Sequence, residues 1–318
     1  MEVLRIVTIR LFTPDDYAAV VTLRNAVNPR RPVSVAVLKE MDAVESAGPT
    51  AVWIRLVAED PAGVVAGYAE SGHFAGMAEG RFSVYATVRQ DCRGRGIGSR
   101  LLTEAERWAL AHGARVQLTA RMRSDDPASF AWAVRRGYVL DLDRMEAVLD
   151  LADWDATRFA GHVESVRAGG LQLTTTESPS EADLQGMYAV EAATAPDIPD
   201  FEGQVITWEE WSAEFLQGDM PMVIALALDG PQVVGWSVLS LPRVDGAGGH
   251  TNFTGVLRAY RGRGLALALK LLTIESALAH GVPFLTTTND LENRAMLAVN
   301  AKLGYHNLPG PRRIKKAL

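Results

Sequence analysis

The chain has 318 residues, of which 48% are hydrophobic and 22% charged, and this balance is typical of a globular protein long enough to form two domains. The composition excludes low-complexity disorder and collagen-like repeats. Its one cysteine, Cys92, excludes a disulfide scaffold and zinc sites of the paired-cysteine type, and the net charge of −6 argues against general nucleic-acid binding.

The sequence predicts no targeting or membrane-spanning segment. Residues 1–13 include Glu2, Arg5 and Arg10 and lack the long apolar core of a signal peptide. The most apolar run, 222–228, is far shorter than the about 20 residues needed to cross a bilayer. We therefore expect a cytoplasmic protein with no membrane partner and no nucleic-acid partner.

In the first half of the chain, the pattern of apolar residues predicts a hairpin within 52–69 and a further strand at 83–88. An arginine–glycine turn follows, and then a helix whose apolar residues recur with a period of 3.6. That helix is predicted to end at Gly113, because glycine suits a left-handed residue after a helix. A strand at 116–120 and a helix that ends at Gly137 complete the series.

The second half of the chain predicts the same elements in the same order. A hairpin within 222–239 precedes a strand at 252–257, a second arginine–glycine turn and a helix that ends at Gly281. A strand at 284–288 and a helix that ends at Gly304 follow. Because strands come first and the β-α-β-α unit later, we predict an α/β fold in which a mixed central sheet is flanked by helices.

The two halves form an internal repeat. The sequence RGRGIG at 93–98 recurs as RGRGLA at 261–266, 168 positions later, and Ala-His-Gly at 111–113 recurs at the same offset. A period this long indicates tandem domains rather than a solenoid. We predict an N-terminal domain at 1–155 and a C-terminal domain at 166–318, here called the N-terminal and C-terminal copies.

Charge is distributed unevenly in the second half of the chain. Residues 166–257 hold thirteen acids and two bases, whereas residues 258–318 hold ten bases and three acids. This division favours a cationic ligand beside the first segment and an anionic ligand beside the second, with a solvated acidic face as the alternative.

Each arginine–glycine turn lies between a strand and a helix, so it places free backbone N–H groups at a helix N-terminus, where anions bind. The glycines let a phosphate approach the backbone without a Cβ in the way. A Walker A loop requires a lysine that both turns lack, and a Rossmann fingerprint requires a third glycine where the chain has Ser99 and Leu267. We therefore expect a phosphate-bearing cofactor of another class.

Both turns satisfy the pattern Arg-x-x-Gly-x-Gly/Ala, and each is followed about 40 residues later by Gly-Tyr. On these residues the chain resembles a tandem member of the GNAT superfamily of N-acetyltransferases, over residues 5–150 and 171–318. The resemblance implies two tandem GNAT-like domains, with acetyl-CoA as cofactor and its diphosphate on the loop. It also implies a strand that parts from its neighbour at a bulge, pairs with the pantetheine arm and offers an N–H to the oxyanion.

The resemblance further implies cofactor contacts from the strand end, the loop and the last helix. They are Thr87, Val88, Arg93, Gly94, Arg95, Gly96, Ile97 and Gly98 in the N-terminal copy, and Gly255, Val256, Leu257, Arg261, Gly262, Arg263, Gly264, Leu265, Ala266 and Asn293 in the C-terminal copy. The N-terminal copy has Asp126 in place of the asparagine and departs further from the family. We expect catalysis in the C-terminal copy, while the N-terminal copy either binds coenzyme A without turnover or is only structural.

The implied reaction is direct attack of an acceptor amine on bound acetyl-CoA, for which positioning and oxyanion stabilisation supply most of the acceleration. A carboxylate must take the proton of the amine. Glu191 and Asp197 are our candidates, because they lie in the acidic segment before the loop, although each could be an ordinary surface acid. Many relatives have a tyrosine acid four residues before the final glycine, where this chain has Ala133 and Asn300, and Asn300 could donate a hydrogen bond to the departing thiolate.

Three functions are open at this point. The first is an N-acetyltransferase that acts on a small-molecule, cationic amine. The second is a non-catalytic acyl-CoA sensor or interaction module, since both copies lack the tyrosine. The third is a thiol-sugar acetylase resembling mycothiol synthase, which shares the tandem layout.

Overall fold

The computed structural model describes residues 7–47, 51–74, 77–198, 205–216 and 221–318. The chain divides into two compact units, the first comprising Met1–Leu142 and Arg312–Leu318 and the second Asp143–Pro311. These bounds differ from the predicted domains 1–155 and 166–318. The reason is that the closing strand of each half of the sequence supplies residues to the unit formed mainly by the other half.

The elements of the first unit follow the predicted order. They are β1 (Thr8–Leu11), α1 (Tyr17–Val27), α2 (Val35–Ala47), β2 (Val52–Glu59), β3 (Val65–His73), β4 (Arg81–Val88), α3 (Ile97–Ala111), β5 (Gln117–Arg123), α4 (Pro127–Val134) and the start of β6 (Val139–Asp150). Those of the second unit repeat the order. They are α5 (His162–Ala168), β7 (Gln172–Thr176), α6 (Glu181–Thr194), α7 (Trp208–Leu216), β8 (Met222–Asp229), β9 (Gln232–Ser240), β10 (Gly249–Val256), α8 (Leu265–Ala279), β11 (Phe284–Asp290), α9 (Arg294–Leu303) and the start of β12 (His306–Ala317).

The strands of the first unit form a mixed sheet in the order β1-β2-β3-β4-β5. Strands β1 to β4 pair antiparallel, whereas β4 and β5 pair in parallel over residues 81–83 and then part. The end of β12 lies beside β5, and its Ile314 is buried in one core with Leu102 and Tyr138. This burial makes the C-terminal residues part of the first unit.

The second unit has a matching sheet in the order β6-β11-β10-β9-β8-β7. Its parallel pair, β10 and β11, is joined over residues 249–251 and then parts. Residues 144–150 of β6 pair antiparallel with the whole of β11, which makes this segment part of the second unit. Ten of the fifteen residues of helix α8 are buried, and the helix packs with Leu149, Leu239 and Leu285 in the main core.

Helices α3 and α8 begin and end at glycines, as the repeat predicts. Gly96 and Gly264 precede their first residues, and Gly113 and Gly281 follow their last turns, all four with positive φ. Each helix therefore presents its N-terminal turn at a fixed position beside the preceding strand. Among the described residues, no helix is long and apolar enough to cross a membrane.

Candidate active site

The glycines of the two arginine–glycine loops adopt a left-handed backbone. The φ angles are 77° at Gly94, 79° at Gly96, 77° at Gly262 and 75° at Gly264, a region that residues with a Cβ rarely adopt. A Cβ built at Gly94, Gly96 or Gly262 would have no atom within 4 Å. The face of each loop is therefore open to a ligand.

The first turn of each following helix supplies anion-binding groups. Ile97 and Gly98 begin α3, and Leu265 and Ala266 begin α8. Since the first N–H groups of a helix have no carbonyl partner within it, they can donate to a phosphate. The side chains of Ile97 and Leu265 are buried in the cores, so these residues offer only their backbone to a ligand.

The first arginine of each loop is tied to the preceding strand. Arg93 Nε donates to the Val88 carbonyl at 3.3 Å, and Arg261 Nε donates to the Val256 carbonyl at 3.0 Å. Each guanidinium is thereby held at the junction of strand and loop, where its charge adds to that of the helix N-terminus.

The second arginines of the loops are more exposed. The side chain of Arg95 is exposed to solvent, and the Arg263 guanidinium lies 5.2 Å from the ring centroid of Tyr260. Tyr260 is itself anchored, since its hydroxyl donates to Asp229 at 2.7 Å. These arginines add positive charge at the loop without occupying its open face.

Strand β10 has the bulge and the parting that the resemblance implies. Its register against β9 shifts between Thr251 and Phe253, and its pairing with β11 ends at Thr251. Beyond that point Gly255 and Val256 pair with β9 on one side and face the gap left by β11 on the other. The N–H of Leu257 donates to a carbonyl of β9 at 2.9 Å, so it is not available to a pantetheine arm.

Strand β4 parts from β5 in the same way but keeps a regular register. Its pairing with β3 runs without a shift from Ser83 to Val88, so the expected bulge is absent from this stretch of the first unit. The hydroxyl of Thr87 donates to the Tyr85 hydroxyl at 2.7 Å. Thr87 and Val88 therefore face the gap on a regular strand, without the re-aimed N–H that a bulge provides.

Asn293 and its counterpart Asp126 begin the last helices of their units. Asn293 Oδ1 accepts from the Met296 N–H at 3.2 Å and caps α9, which leaves the amide nitrogen free to donate elsewhere. Asp126 caps α4 through the Ser129 N–H at 2.9 Å and also accepts from Arg93 at 3.3 Å. In the first unit a carboxylate thus engages the first arginine of the loop.

Asp197 lies beside the loop of the second unit rather than beside a reacting amine. Its carboxylate accepts from Arg261 at 2.6 Å and from Arg258 at 2.5 Å. These two guanidinium groups, Arg261 above all, hold the pKa of Asp197 below its usual range. A carboxylate held ionised by two arginines is a poor proton acceptor, so this geometry does not support the expected role of Asp197 as a base.

Helix α6 runs beside β10, so residues of α6 and of the turn after it lie at successive positions along this strand. Thr194 lies against the backbone of Gly255, where a Cβ would come 3.3 Å from Thr194 Oγ1. Asp197, about one turn later, reaches Arg261. Glu191 lies about one turn before Thr194, on the side away from Asp197 and the glycine loop.

The Glu191 carboxylate accepts a hydrogen bond from Trp211 Nε1 at 2.9 Å. Trp211 belongs to a cluster of rings on α6, α7, β9 and β10, which comprises Tyr188, Trp208, Trp211, Phe215, Trp236 and Phe253. Phe253 lies at the bulge, 4.5 Å from the Trp236 ring. A carboxylate bonded to one member of an aromatic cluster suits a cationic amine. Of the acids that define the acidic segment, Asp200, Glu202 and Asp219 lie outside the described residues.

A sequence model of the acetyltransferase (GNAT) family matches residues 22–138 and 184–305, one match in each half and together most of the chain. The chain belongs to the GNAT family. The acetyltransferase assignment and the tandem arrangement that the sequence predicts are therefore confirmed, and acetyl-CoA is the typical cofactor of this family.

Solved structures with the same fold span nearly the whole of this GNAT chain. A tandem GNAT protein from the clavulanic acid biosynthesis pathway is 22% identical, with 98% of each chain covered and a TM-score of 0.76. A GCN5-related N-acetyltransferase from Sphaerobacter thermophilus is 21% identical, with 98% of this chain and 95% of that chain covered and a TM-score of 0.68. A comparison with curated protein sequences gives no match.

Asn300 lies beside the gap between β10 and β11 in this GNAT fold. Its side chain is buried, with 2% exposure, and its Nδ2 donates to Asn289 Oδ1 at 2.7 Å. Asn289 lies on the part of β11 that has left β10, and the sequence analysis did not single it out, although alternation along β11 could have indicated it. Asn300 Oδ1 has no hydrogen-bond partner among the described residues.

Proposed function

We propose that this GNAT protein transfers the acetyl group of acetyl-CoA directly to the amine of a small, cationic acceptor, and that the second unit is its catalytic unit. The observation that supports this most is the bulged strand β10, which parts from β11 just before an open glycine loop at a helix N-terminus. The first unit has a regular strand, and it has Ala133 at the position of Asn300. We assign it a cofactor-binding or structural role without turnover.

Different residues of the second unit would contact different parts of the cofactor. The first N–H groups of α8, with Arg261 and Arg263 beside them, would hold the diphosphate, and Gly255 and Val256 would pair with the pantetheine arm. Bound acetyl-CoA supplies the thioester. A backbone N–H at the bulge would face the carbonyl oxygen and stabilise the negative charge that develops on it.

The acyl transfer needs one proton acceptor and one group at the leaving sulfur. The acceptor nitrogen forms the C–N bond as the C–S bond breaks, and the proton of the amine passes to Glu191 directly or through water. The Asn300 amide has a second N–H with which to donate to the departing thiolate. Since the pKa of a thiol is about 8.5, the thiolate can leave with the help of this one hydrogen bond.

The acceptor is inferred from the surroundings of Glu191. A carboxylate bonded to Trp211, in a cluster that includes Trp208 and Tyr188, attracts a cation through charge and through the aromatic faces. A carboxylate-rich acceptor would meet like charge there. We therefore expect amine cations to be the best acceptors and carboxylate-rich ones to be poor.

Two matched variants test which unit turns over. Gly94 and Gly262 have the same φ of 77° and no atom within 4 Å of a built Cβ, so Gly94→Glu and Gly262→Glu impose equal backbone strain and the same added charge. Calorimetry with acetyl-CoA and a thiol-release assay across an amine panel are the measurements. We expect Gly262→Glu to abolish turnover and Gly94→Glu to retain it. Turnover that survives Gly262→Glu would move the chemistry to the first unit.

The same assay separates the alternatives. Acetyl-CoA binding by the second unit without thiol release from any amine, including a thiol-sugar amine, would contradict the enzyme and favour the acyl-CoA sensor. Release confined to the thiol-sugar amine would favour an activity like that of mycothiol synthase over the broader amine acceptor.

A further inference from the structure

The face of each sheet that packs on the loop helix differs between the two units. In the first unit Val84, Leu102 and Ala133 belong to one buried core with Tyr138, and the buried Ser71 pairs with Val84 on the same face. Lys270 lies 168 positions after Leu102 and takes its place in the repeat. Asn300 lies 167 positions after Ala133, the offset that also separates Tyr305 from Tyr138, so it takes the place of Ala133. The tyrosine is kept as Tyr305.

Strand β10 shows the same replacement of an apolar residue by a polar one. Val84 pairs with Ser71, and Thr251 pairs with Leu239, which lies 168 positions after Ser71, so Thr251 takes the place of Val84. Three apolar positions of the first unit are therefore polar in the second, whereas the buried Ser71 of the first unit is replaced by Leu239. We call Thr251, Lys270, Asn300 and Tyr305 the interior polar cluster.

Lys270 is the member of this cluster whose burial costs the most folding free energy. Its side chain is 2% exposed, and its Nζ has no hydrogen-bond partner among the described residues. The ammonium lies 5.3 Å from the centroid of the Tyr305 ring. A lysine ammonium can only donate, so the group that Lys270 lacks is an acceptor, and an anionic one would also offset the charge.

Within the part of the chain that the structure describes, no counter-ion acts on Lys270. Burial alone lowers the pKa of Lys270, to about 7. Burial also raises the pKa of Tyr305, with a small opposing effect from the Thr251 hydroxyl beside it. On β6, Glu146 pairs with Thr288, whose side chain alternates to the other face of the sheet from Thr287. On α8 itself, Glu275 is exposed.

The cluster lies where a bound acyl chain would end. Thr251 is the last residue at which β10 pairs with β11, so it marks the closed end of the gap between the strands. Asn300 reaches the β11 side of that gap through Asn289 and keeps an unpartnered Oδ1. A pantetheine arm along Gly255 and Val256 would direct its acyl group toward this end.

We propose that the interior polar cluster binds a carboxylate at the far end of an acyl chain, so that the second unit prefers a dicarboxylic acyl-CoA to a monocarboxylic one. The ammonium of Lys270 pairs with the carboxylate, and the hydroxyls of Tyr305 and Thr251 donate to it. The proposal rests on acyl-CoA binding by the second unit, and it widens the acyl donor beyond acetyl. The anion comes from the acyl chain because the phosphates of the cofactor belong to the glycine loop at the other end of the gap.

The test compares succinyl-CoA with butyryl-CoA, which has the same chain length without the carboxylate. Full-length protein carrying Gly94→Glu reports on the second unit, and binding is measured by calorimetry with and without Lys270→Leu. Leucine is the residue at the matching position 102, and it replaces a buried, unpaired charge, so we expect this variant to fold. Lys270→Met provides a second, unbranched replacement.

We expect succinyl-CoA to bind at least tenfold more tightly than butyryl-CoA, and Lys270→Leu to remove that preference while acetyl-CoA affinity changes less than twofold. Pairing with a carboxylate should also restore the proton of Lys270. At pH 8, succinyl-CoA binding should therefore take up close to one proton, shown by titrations in buffers of different ionisation enthalpy, and butyryl-CoA should take up none.

Equal affinity for succinyl-CoA and butyryl-CoA would overturn the proposal. A preference for succinyl-CoA that survives both Lys270→Leu and Lys270→Met would also overturn it. The interior polar cluster would then hold water instead of a carboxylate. Such a result, with acetyl-CoA still bound, would not affect the proposed function. If the Gly94→Glu protein binds no acyl-CoA at all while Gly262→Glu protein does, the proposed function fails and this proposal fails with it.

Discussion

His162 Nε2 donates a hydrogen bond to the carbonyl oxygen of Gly264 at 3.0 Å, although 102 positions separate the two residues. The contact joins the start of α5 to the residue that precedes α8, directly beside the cofactor loop of the second unit. A Cβ built at Gly264 would come 2.7 Å from the imidazole, whereas one at Gly96 would have no atom within 4 Å. Two loops that look alike in sequence are therefore supported differently.

Alanine at these two glycines should cost different amounts of folding free energy. Both substitutions force a Cβ into the left-handed region, which costs about 1–2 kcal/mol. Gly264→Ala should additionally displace His162 and break its hydrogen bond, which adds about 1 kcal/mol. Urea unfolding should show the larger loss for Gly264→Ala. In a His162→Ala background the extra cost should disappear, and an excess that persists there would show that His162 is not its cause.

Asp197→Asn should change cofactor binding without removing the base. Because Arg261 and Arg258 hold the pKa of Asp197 below its usual range, the carboxylate is ionised throughout neutral pH and does not titrate there. Its removal frees two guanidinium groups for the diphosphate, so we expect KM for acetyl-CoA to fall about two- to fivefold. The pH dependence of kcat between 6 and 9 should stay unchanged. A lost or shifted acidic limb, where the rate rises with pH, would show that Asp197 is the base.

The helices and strands could be predicted from the sequence because short stretches of neighbouring residues determine them. The 3.6-residue period of 101–109 and the glycines that flank each helix fix α3 and α8, and the repeated loop fixes where each strand must end. Left-handed glycines before a helix follow from the steric freedom of glycine alone. The tandem fold and the anion-binding loop therefore needed no tertiary information.

The remaining features depend on partners distant in the sequence. Residues 144–150 could pair with several strands, and nothing in their alternation selects Phe284–Asp290. Asp197 carries the same sequence signal as any surface acid, and its role follows only from its distance to Arg261. The bulge at Thr251–Phe253 is likewise a matter of register, which a β-like segment does not specify.

Glu191→Gln should lower kcat and leave cofactor affinity intact. Glutamine keeps an oxygen that can accept the Trp211 N–H, so the aromatic cluster and the fold should be preserved while the proton acceptor is lost. Loss of a positioned general base costs about 10²–10⁴ in kcat, whereas KM for acetyl-CoA should change little. Glu209→Gln, at an exposed residue of α7, is the matched control. If both variants keep the wild-type rate, Glu191 is not the base.

Lys270→Leu should stabilise the protein in a way that depends on pH. Burial lowers the pKa of Lys270 to about 7 in the folded state, while the pKa of a lysine in the unfolded chain is about 10.4. Between these values the unfolded state binds more protons, so the cost of burying this residue shrinks as the pH rises and is greatest below pH 7. At one pKa unit per about 1.4 kcal/mol, the variant should exceed wild type by roughly 3–5 kcal/mol at pH 6–7, with the difference narrowing toward pH 10. Urea unfolding at several pH values measures this difference, and exposed Lys302→Leu is the control, for which no such trend is expected. Parallel stability curves for wild type and Lys270→Leu would mean that Lys270 stays protonated in the folded protein, held by an acceptor that it already has.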